Sequence, residues 1–375
     1  MRTSSVVVVG GGAAGLSAAG ALRHRGIDAL VLEQDAAIGG TWARRYDRLH
    51  LHTTRRFSGL AHFPIPRRYP QYLSRDDVVS YLEEYARHFG LTLVTGVTIA
   101  TIRRAADAPG WEAIAADGER WRAPVVVIAT GQYRRPIVPA WPGRDRFDGR
   151  LTHSVEYRTG APYAGQRVLV VGAGNSGAEI ATDLADSGAT VTISIRTPPP
   201  IVPRDPFGMP VQRTSILLSA LPSALSNALG RLTARLTIGD LTRYGMPAAV
   251  FNPYSTRRVP LIDVGFVDAL ARGRVAVRPA VERLTPDGAV FADGRAEPFD
   301  AIVAATGFAS GLEMLLGDAD LLDGDGVPIG VAGAPTARRG LYFVGFTHSL
   351  RGHLFEANLA SRRLARYVAR DLQTR

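Results

Sequence analysis

The stretch SVVVVGGGAAGLSAAGALRHRGIDALVLEQ, Ser5 to Gln34, decides the fold. A run of four valines predicts a buried parallel strand over Ser5 to Val9, and the alanine-rich run after the glycines predicts a helix. Gly10, Gly12 and Gly15 are spaced as GxGxxG between the two. The first glycine permits the tight turn, the second lets a pyrophosphate approach the backbone, and the third allows close helix–strand packing. The helix N-terminus then receives the phosphate charge. Gly26 ends the helix, and a second strand, Asp28 to Leu32, delivers Glu33. An acid about 20 residues past the glycines is placed to accept from a ribose hydroxyl. A lone GxGxxG carries little weight, but strand, glycines, helix, strand and acid in this order specify a dinucleotide-binding unit.

A second copy reads QRVLVVGAGNSGAEIATDLADSGATVTISIRT, Gln166 to Thr197. Gly172, Gly174 and Gly177 repeat the spacing, and Asn175 and Ser176 stand among them at the start of the second helix. Where the first copy delivers Glu33, the strand Thr190 to Ile195 delivers Arg196, with Thr197 adding a hydroxyl. An acid repels a 2′-phosphate and an arginine pairs with one. The first site therefore suits FAD and the second NADPH. The alternative for Arg196 is a plain surface arginine in an arginine-rich chain.

The duplication extends past the glycines. After the first unit a helix is expected over Asp76 to Phe89, capped by Ser74 with Asp77 three residues on and closed by Gly90. Short strands with a hairpin turn at Asp117-Gly118 lead to PVVVIATG, Pro124 to Gly131. The second unit likewise has turn signals at Asp287-Gly288 and Asp293-Gly294 before DAIVAATGF, Asp300 to Phe308. The strand GLYFVGF, Gly340 to Phe346, and a C-terminal helix complete the chain. The expected fold is α/β: two Rossmann-like dinucleotide-binding domains, each with a small antiparallel β insert. The FAD domain takes residues 1–158 and 305–375. The NADPH domain takes 159–304, with a helical excursion near 211–245.

Composition removes other classes. The 375 residues contain no cysteine, which excludes disulfides, thiolate metal sites and Cys nucleophiles. The 8 histidines are scattered without metal-ligand spacing, so no metal is expected. All 44 basic residues are arginine and the formal net charge is +10. The arginines are dispersed and not gathered into aromatic-interleaved runs, so no nucleic-acid partner is expected. No apolar run is long enough for a transmembrane helix. The N-terminus has the look of a signal-peptide core, but its continuation to an acid at dinucleotide spacing selects a strand. The expected location is the cytoplasm.

Three further stretches carry signals. In IGGTW, Ile38 to Trp42, Gly40 allows close backbone approach and Trp42 is large enough to cover a flavin. The alternative is a loop with a core tryptophan. In RLHLH, Arg48 to His52, the two histidines alternate as on a strand and would face one way. From Ser215 to Thr237, Leu217, Leu221, Leu225, Leu229 and Leu232 fall on one helical face. That face is expected to pack on its domain or on a partner subunit, which makes a homo-oligomer an expectation. A membrane surface and a substrate tunnel are the alternatives.

Between the two glycine signatures lies FDGRLTHSVEY, Phe147 to Tyr157. Phe147, Gly149, His153 and Tyr157 match FxGxxxHxxx(Y/F), and the chain resembles the class B flavin-dependent monooxygenases, in particular the plant YUCCA-type branch. YDRLHLH, YLEEYARHFGL, VVGAGNSGAEIATDLA, VPLIDVG and GLYFVGF are similar to that branch's landmarks. Baeyer–Villiger relatives carry tryptophan at the last motif position, so Tyr157 points away from them. The resemblance implies that His52 stands beside the flavin where other branches have asparagine, which makes it the candidate catalytic residue. It also implies that Phe147 to Tyr157 lies at the joint of the two domains, with Gly149 flexible and His153 and Tyr157 organising bound NADP.

The implied reaction is NADPH-dependent oxygenation of a small organic substrate by FAD and O2 through a C4a-(hydro)peroxyflavin. The substrate is either a soft nitrogen or sulfur nucleophile or an aryl-2-oxo acid, such as indole-3-pyruvate, undergoing oxidative decarboxylation. The rival is a flavoprotein reductase or oxidase that passes electrons to a protein partner or to oxygen as peroxide.

Overall fold

The computed structural model describes residues 1–107, 109–256, 259–317 and 319–373. Its contacts divide the chain into two compact units: Met1–Ala43, Thr53–Arg135 and Phe308–Arg375 form the first, Arg44–His52 and Pro136–Gly307 the second.

The first unit is built on a parallel sheet in the order Leu341–Phe343, Val125–Ile128, Val6–Val9, Leu30–Leu32, Thr92–Val94. The four valines are at its centre and lose essentially all solvent exposure, which is why both faces of this strand are apolar. Helix α1 (Ala13–Arg23) and the C-terminal helix (His353–Gln373) cover one face through Ala18, Ala21, Leu22, Ala360, Leu364 and Val368. After the one-turn helix α2 (Gly40–Ala43), helix α3 (Arg75–Phe89) begins on a complete Ser74–Asp77 capping box and ends on left-handed Gly90. A second sheet carries Ile99–Arg104, Trp111–Ala115 and Arg120–Ala123 antiparallel, the last two joined at Asp117-Gly118.

The second unit repeats the plan. Its parallel sheet runs Arg150–His153, Ala301–Ala304, Arg167–Val171, Thr190–Ser194, Val275–Arg278. Helix α4 (Asn175–Asp186) follows the glycine turn. The antiparallel insert is Val281–Thr285, Gly288–Phe291 and Ala296–Pro298, turning at the two Asp-Gly pairs.

Several expectations shift. The division falls after Arg135 and not at 158, because Arg150–His153 pairs in parallel with Ala301–Ala304 and so belongs to the second sheet. The return to the first unit begins at Phe308, slightly beyond 305. The second strand starts at Leu30, since Asp28 is exposed and accepts the Ser5 hydroxyl on its carbonyl. No strand spans residues 48–52, where His50 makes an isolated β-bridge and His52 lies in a bend, so His50 and His52 do not share a strand face. The helical excursion is α5 (Val211–Leu218) and α6 (Ser223–Thr237). Its leucines do not pack on their unit: Leu217, Leu221, Leu225, Leu229 and Leu232 are all exposed.

Candidate functional site

In the first unit the glycine turn is fixed by its own sterics. Gly10 has φ of +109°, and a Cβ there would lie 2.5 Å from the carbonyl oxygen of Ala129 in the A-T-G turn. A Cβ on Gly15 would lie 1.8 Å from the Gly10 carbonyl oxygen, so helix and turn touch. Gly12 differs: a Cβ there would meet nothing within 4 Å. It is the N-cap of α1, and the first helical amide bond runs from Leu16 to Gly12. The amides of Ala13, Ala14 and Gly15 precede that bond and face the open space. Glu33 lies at the end of its strand beside this turn, where its carboxylate accepts from the amides of Gly11, at 2.5 Å, and Asp35, at 2.9 Å.

The second unit reproduces these distances. Gly172 has φ of +107°, with a Cβ 2.5 Å from the Ala305 carbonyl oxygen, and a Cβ on Gly177 would lie 1.9 Å from the Gly172 oxygen. A Cβ on Gly174, the N-cap of α4, again meets nothing within 4 Å. The Asn175 side chain is engaged elsewhere, donating to the Pro260 carbonyl at 3.3 Å and accepting from the Ile262 amide at 2.8 Å. Asn175 therefore offers its backbone amide, not its carboxamide, to the space over the turn. Arg196 and Thr197 follow the strand end and are exposed.

The Phe147–Tyr157 motif lies wholly in the second unit and is fully engaged there. Phe147 packs on the core around Trp141, Leu169 and Phe299. A Cβ on Gly149 would lie 2.5 Å from the Phe147 ring and 2.6 Å from the Asp300 carbonyl oxygen, so this glycine serves close packing and not flexibility. His153 is buried; its Nδ1 accepts from the Val155 amide at 3.2 Å, and its Nε2 donates to the Gly307 carbonyl at 3.1 Å. Burial pushes its imidazole below the usual histidine range, with the Gly307 carbonyl opposing. The Tyr157 hydroxyl donates to Asp183 of α4 at 2.6 Å, and burial together with that carboxylate raises its phenol well above the ordinary value. These two side chains brace the second A-T-G turn and α4.

His52 belongs to the second unit, where its Nε2 lies 2.6 Å from Oε1 of Glu179, a carboxylate with 5% side-chain exposure. Tyr46 completes the group: buried, hydrogen-bonded to Ser176 and Glu179, its phenol is raised well above its ordinary value by burial and then by the Glu179 charge. Arg48 reaches Asp183 and Asp186 further along α4. Glu179, Asp183 and Asp186 share one helical face, at i, i+4 and i+7, and residues 46–52 bind along it. His50 turns back to the Arg48 carbonyl at 2.8 Å. Glu179 and Tyr46 escaped the sequence reading. The signal was present in Glu179, an acid on the helix face that an alanine-rich Rossmann helix buries.

In the first unit, Trp42 is half-buried in α2, and a Cβ on Gly40 would lie 2.2 Å from the Asp35 carboxylate, so Gly40 answers to Asp35. Two polar atoms missed by the sequence reading stand beside the first cradle's A-T-G turn. The Thr130 hydroxyl and the Gln132 carboxamide oxygen are buried without a partner. The Gln132 amide lies 3.2 Å from both nitrogens of His353, at the start of the C-terminal helix, and the Tyr133 hydroxyl lies 2.8 Å from Nε2. Burial pushes His353 down to about 4, so it is neutral near pH 7. Orphaned buried polar atoms of this kind call for a partner. With the open cradle at Gly12 they fit a polar planar ligand in the first unit, and the open Gly174 cradle fits a pyrophosphate in the second. Among the described residues no group of His, Asp and Glu is disposed to hold a metal ion.

The family model described as flavin-binding monooxygenase-like matches residues 3–319. Over 349 residues the chain is 38% identical to the indole-3-pyruvate monooxygenase YUCCA1 of Oryza sativa subsp. japonica, covering 91% of this chain and 86% of that protein. It is 34% identical over 360 residues to YUCCA6 of Arabidopsis thaliana, another indole-3-pyruvate monooxygenase, covering 91% and 85%. Among solved structures, a flavin-containing monooxygenase from Stenotrophomonas maltophilia aligns with a TM-score of 0.73 at 27% identity, over 98% of this chain and 99% of that one. A cyclohexanone monooxygenase at 20% identity shares the fold, with a TM-score of 0.77 over 100% of this chain and 88% of that one. Two glycine cradles of matched geometry, each closed by an A-T-G turn, thus come in a chain that belongs to the flavin-binding monooxygenase-like family, in its YUCCA branch.

Proposed function

We propose that the chain is an NADPH-dependent FAD monooxygenase whose substrate is an aryl-2-oxo acid such as indole-3-pyruvate. The observation that carries the reading is the pair of matched glycine cradles in a chain similar, over more than nine-tenths of its length, to named indole-3-pyruvate monooxygenases. The balanced reaction takes a 2-oxo acid, O2, NADPH and a proton to the carboxylic acid one carbon shorter, CO2, NADP+ and water. Bound FAD, reduced by NADPH, supplies the oxygen-activating chemistry.

The chain's own residues bind, orient and hold protons. Gly10, Gly12 and Gly15 with the start of α1 receive the FAD pyrophosphate, and Glu33 exchanges its loop amides for ribose hydroxyls. Thr130, Gln132, Gly40 and Trp42 surround the rest of that ligand. Gly172, Gly174 and Gly177, with the amides of Asn175 and Ser176, receive the NADPH pyrophosphate, and Arg196 and Thr197 take the 2′-phosphate. Phe147, Gly149, His153 and Tyr157 hold the second cradle's turn and helix in place. Glu179 fixes His52 through Nε2 and leaves Nδ1 to exchange a proton. The cytoplasm is the proposed location, with Val6–Val9 buried at the centre of the first unit's sheet.

The deciding experiment measures NADPH consumed, peroxide released and acid formed with indole-3-pyruvate present. One indole-3-acetate and one CO2 per NADPH, with little peroxide, supports the reading. Stoichiometric peroxide with no acid marks an oxidase, and oxygenated amines or sulfides in place of the acid mark a different substrate class.

A further inference from the structure

The helical excursion of the second unit is built inside out. On α6, the residues buried against the unit are Ser226, Asn227 and Gly230. They are held by small-residue packing and hydrogen bonds. Ser226 donates to the Leu218 carbonyl at 2.8 Å, and Asn227 donates to Ser255 at 2.6 Å and accepts from the Tyr254 amide at 3.0 Å. A Cβ on Gly230 would lie 2.5 Å from the Phe251 ring. On the opposite face, Leu225, Leu229, Leu232 and Leu236 recur at four, three and four residues, with exposures between 39% and 66%. The shorter α5 does the same: it buries Gln212 and Ser215 and exposes Leu217. Leu221, in the link between them, and Phe207, just before α5, are also exposed.

An amphipathic helix that docks by its polar face and presents its leucines outward has a second apolar phase to meet. The charges around the leucines say which. Arg213, Arg231 and Arg235 are exposed on these helices, and no Asp or Glu occurs between Pro206 and Gly239. Arg231 and Arg235 lie along one side of the leucine row on α6, Arg231 donating to the Phe251 carbonyl at 3.4 Å, and such long side chains can carry their charge to a headgroup layer. Two copies of this face brought together would place arginines near arginines with no acid to receive them. An anionic lipid surface accepts both parts, leucines at the acyl boundary and guanidinium groups among the headgroups.

We propose that the exposed leucine face of α5 and α6, with Arg213, Arg231 and Arg235, is a docking surface for an anionic membrane, on which the enzyme lies without spanning it. None of the residues of this face is given a cofactor or substrate role above, and the proposal stands apart from the substrate assignment.

The test is co-sedimentation of the full-length, FAD-loaded protein with phosphatidylcholine vesicles, pure or containing about one third phosphatidylserine, at about 0.1 M salt. Binding to the anionic vesicles at least about tenfold tighter than to neutral ones is expected. Leu229→Ser with Leu232→Ser, changes at exposed positions, lowers that binding at least about tenfold and leaves NADPH oxidation unchanged. In a second variant, Leu229→Trp, the emission shifts to the blue on anionic vesicles as the indole leaves water. Equal binding to both vesicle types, no binding, or an unshifted tryptophan overturns the proposal. So does a wild-type dimer that the serine pair converts to monomer without any vesicle binding, because the face is then an interface between copies.

Discussion

Gly174→Ala separates a ligand cradle from a structural turn with one methyl group. The added carbon meets no atom within 4 Å, and Gly174 has φ of −75° and ψ of −179°, a conformation any residue adopts. Replacing glycine by alanine at an N-cap costs several tenths of a kcal/mol in the helix, and the stiffer unfolded chain returns a similar amount. Stability should therefore stay within about 1 kcal/mol of wild type. The methyl does stand where a pyrophosphate must touch the backbone, so NADPH affinity should fall at least about tenfold, or about 1.4 kcal/mol. Gly177→Ala gives the contrast. Its methyl would lie 1.9 Å from the Gly172 carbonyl oxygen, backbone that cannot swing aside, and overpacking of that kind costs roughly 1–3 kcal/mol or more. Gly12→Ala and Gly15→Ala repeat the pair in the first unit, with FAD retention in place of NADPH binding. Thermal unfolding, flavin absorbance after gel filtration and titration with NADP+ read all four variants. A Gly174→Ala protein that binds NADP+ as wild type does would refute the assignment of that cradle.

Arg196→Ala should weaken NADPH by about tenfold or more and leave NADH nearly unchanged; equal losses for both would make Arg196 a plain surface arginine. Glu179→Gln keeps an acceptor for Tyr46 and removes the charge beside His52, so it should alter the pH profile of turnover while NADP+ affinity holds. A profile that superimposes on wild type would reduce the pair to a structural staple. His353 has a folded-state value of about 4, below the 6.5 of an unfolded histidine. Between those values the unfolded chain binds the extra proton, so stability falls as pH drops from 6.5 toward 4, by at most about 3 kcal/mol. In His353→Gln, denaturant unfolding across that range should show a flatter dependence, and an unchanged slope would assign the loss to other groups.

The fold was legible wherever a local constraint acts at fixed spacing. Gly15 and Gly177 each answer to a backbone carbonyl of the same motif, that of Gly10 or Gly172, and the Ser74–Asp77 box closes on itself. The Asp-Gly turns are equally local. What escaped was long-range. The boundary near residue 158 was misplaced because pairing of Arg150–His153 with Ala301–Ala304 joins segments some 150 residues apart, and nothing in the motif announces that partner. The acidic row Glu179, Asp183 and Asp186 was visible as a helical repeat, yet its ligands come from residues 46–52, far upstream.

The leucines of 217–236 show why periodicity alone misassigns a face. A stripe at helical spacing specifies that one side of the helix is apolar, but the side that docks is decided by what the docking surface offers. Here it offers the Leu218 carbonyl, the Ser255 hydroxyl, the Tyr254 amide and the Phe251 ring, which select Ser226, Asn227 and Gly230. The polar residues are satisfied by the protein, so the leucines are left to whatever lies outside. The same reasoning explains Gly149, read as a flexible point of the joint, and His153, read as organising bound NADP. Each of their atoms that needs a neighbour finds it inside the second unit, at Phe147, Asp300, Val155 and Gly307. A motif can therefore be fixed in sequence because it holds a cradle's turn in position, without touching the chemistry that the cradle serves.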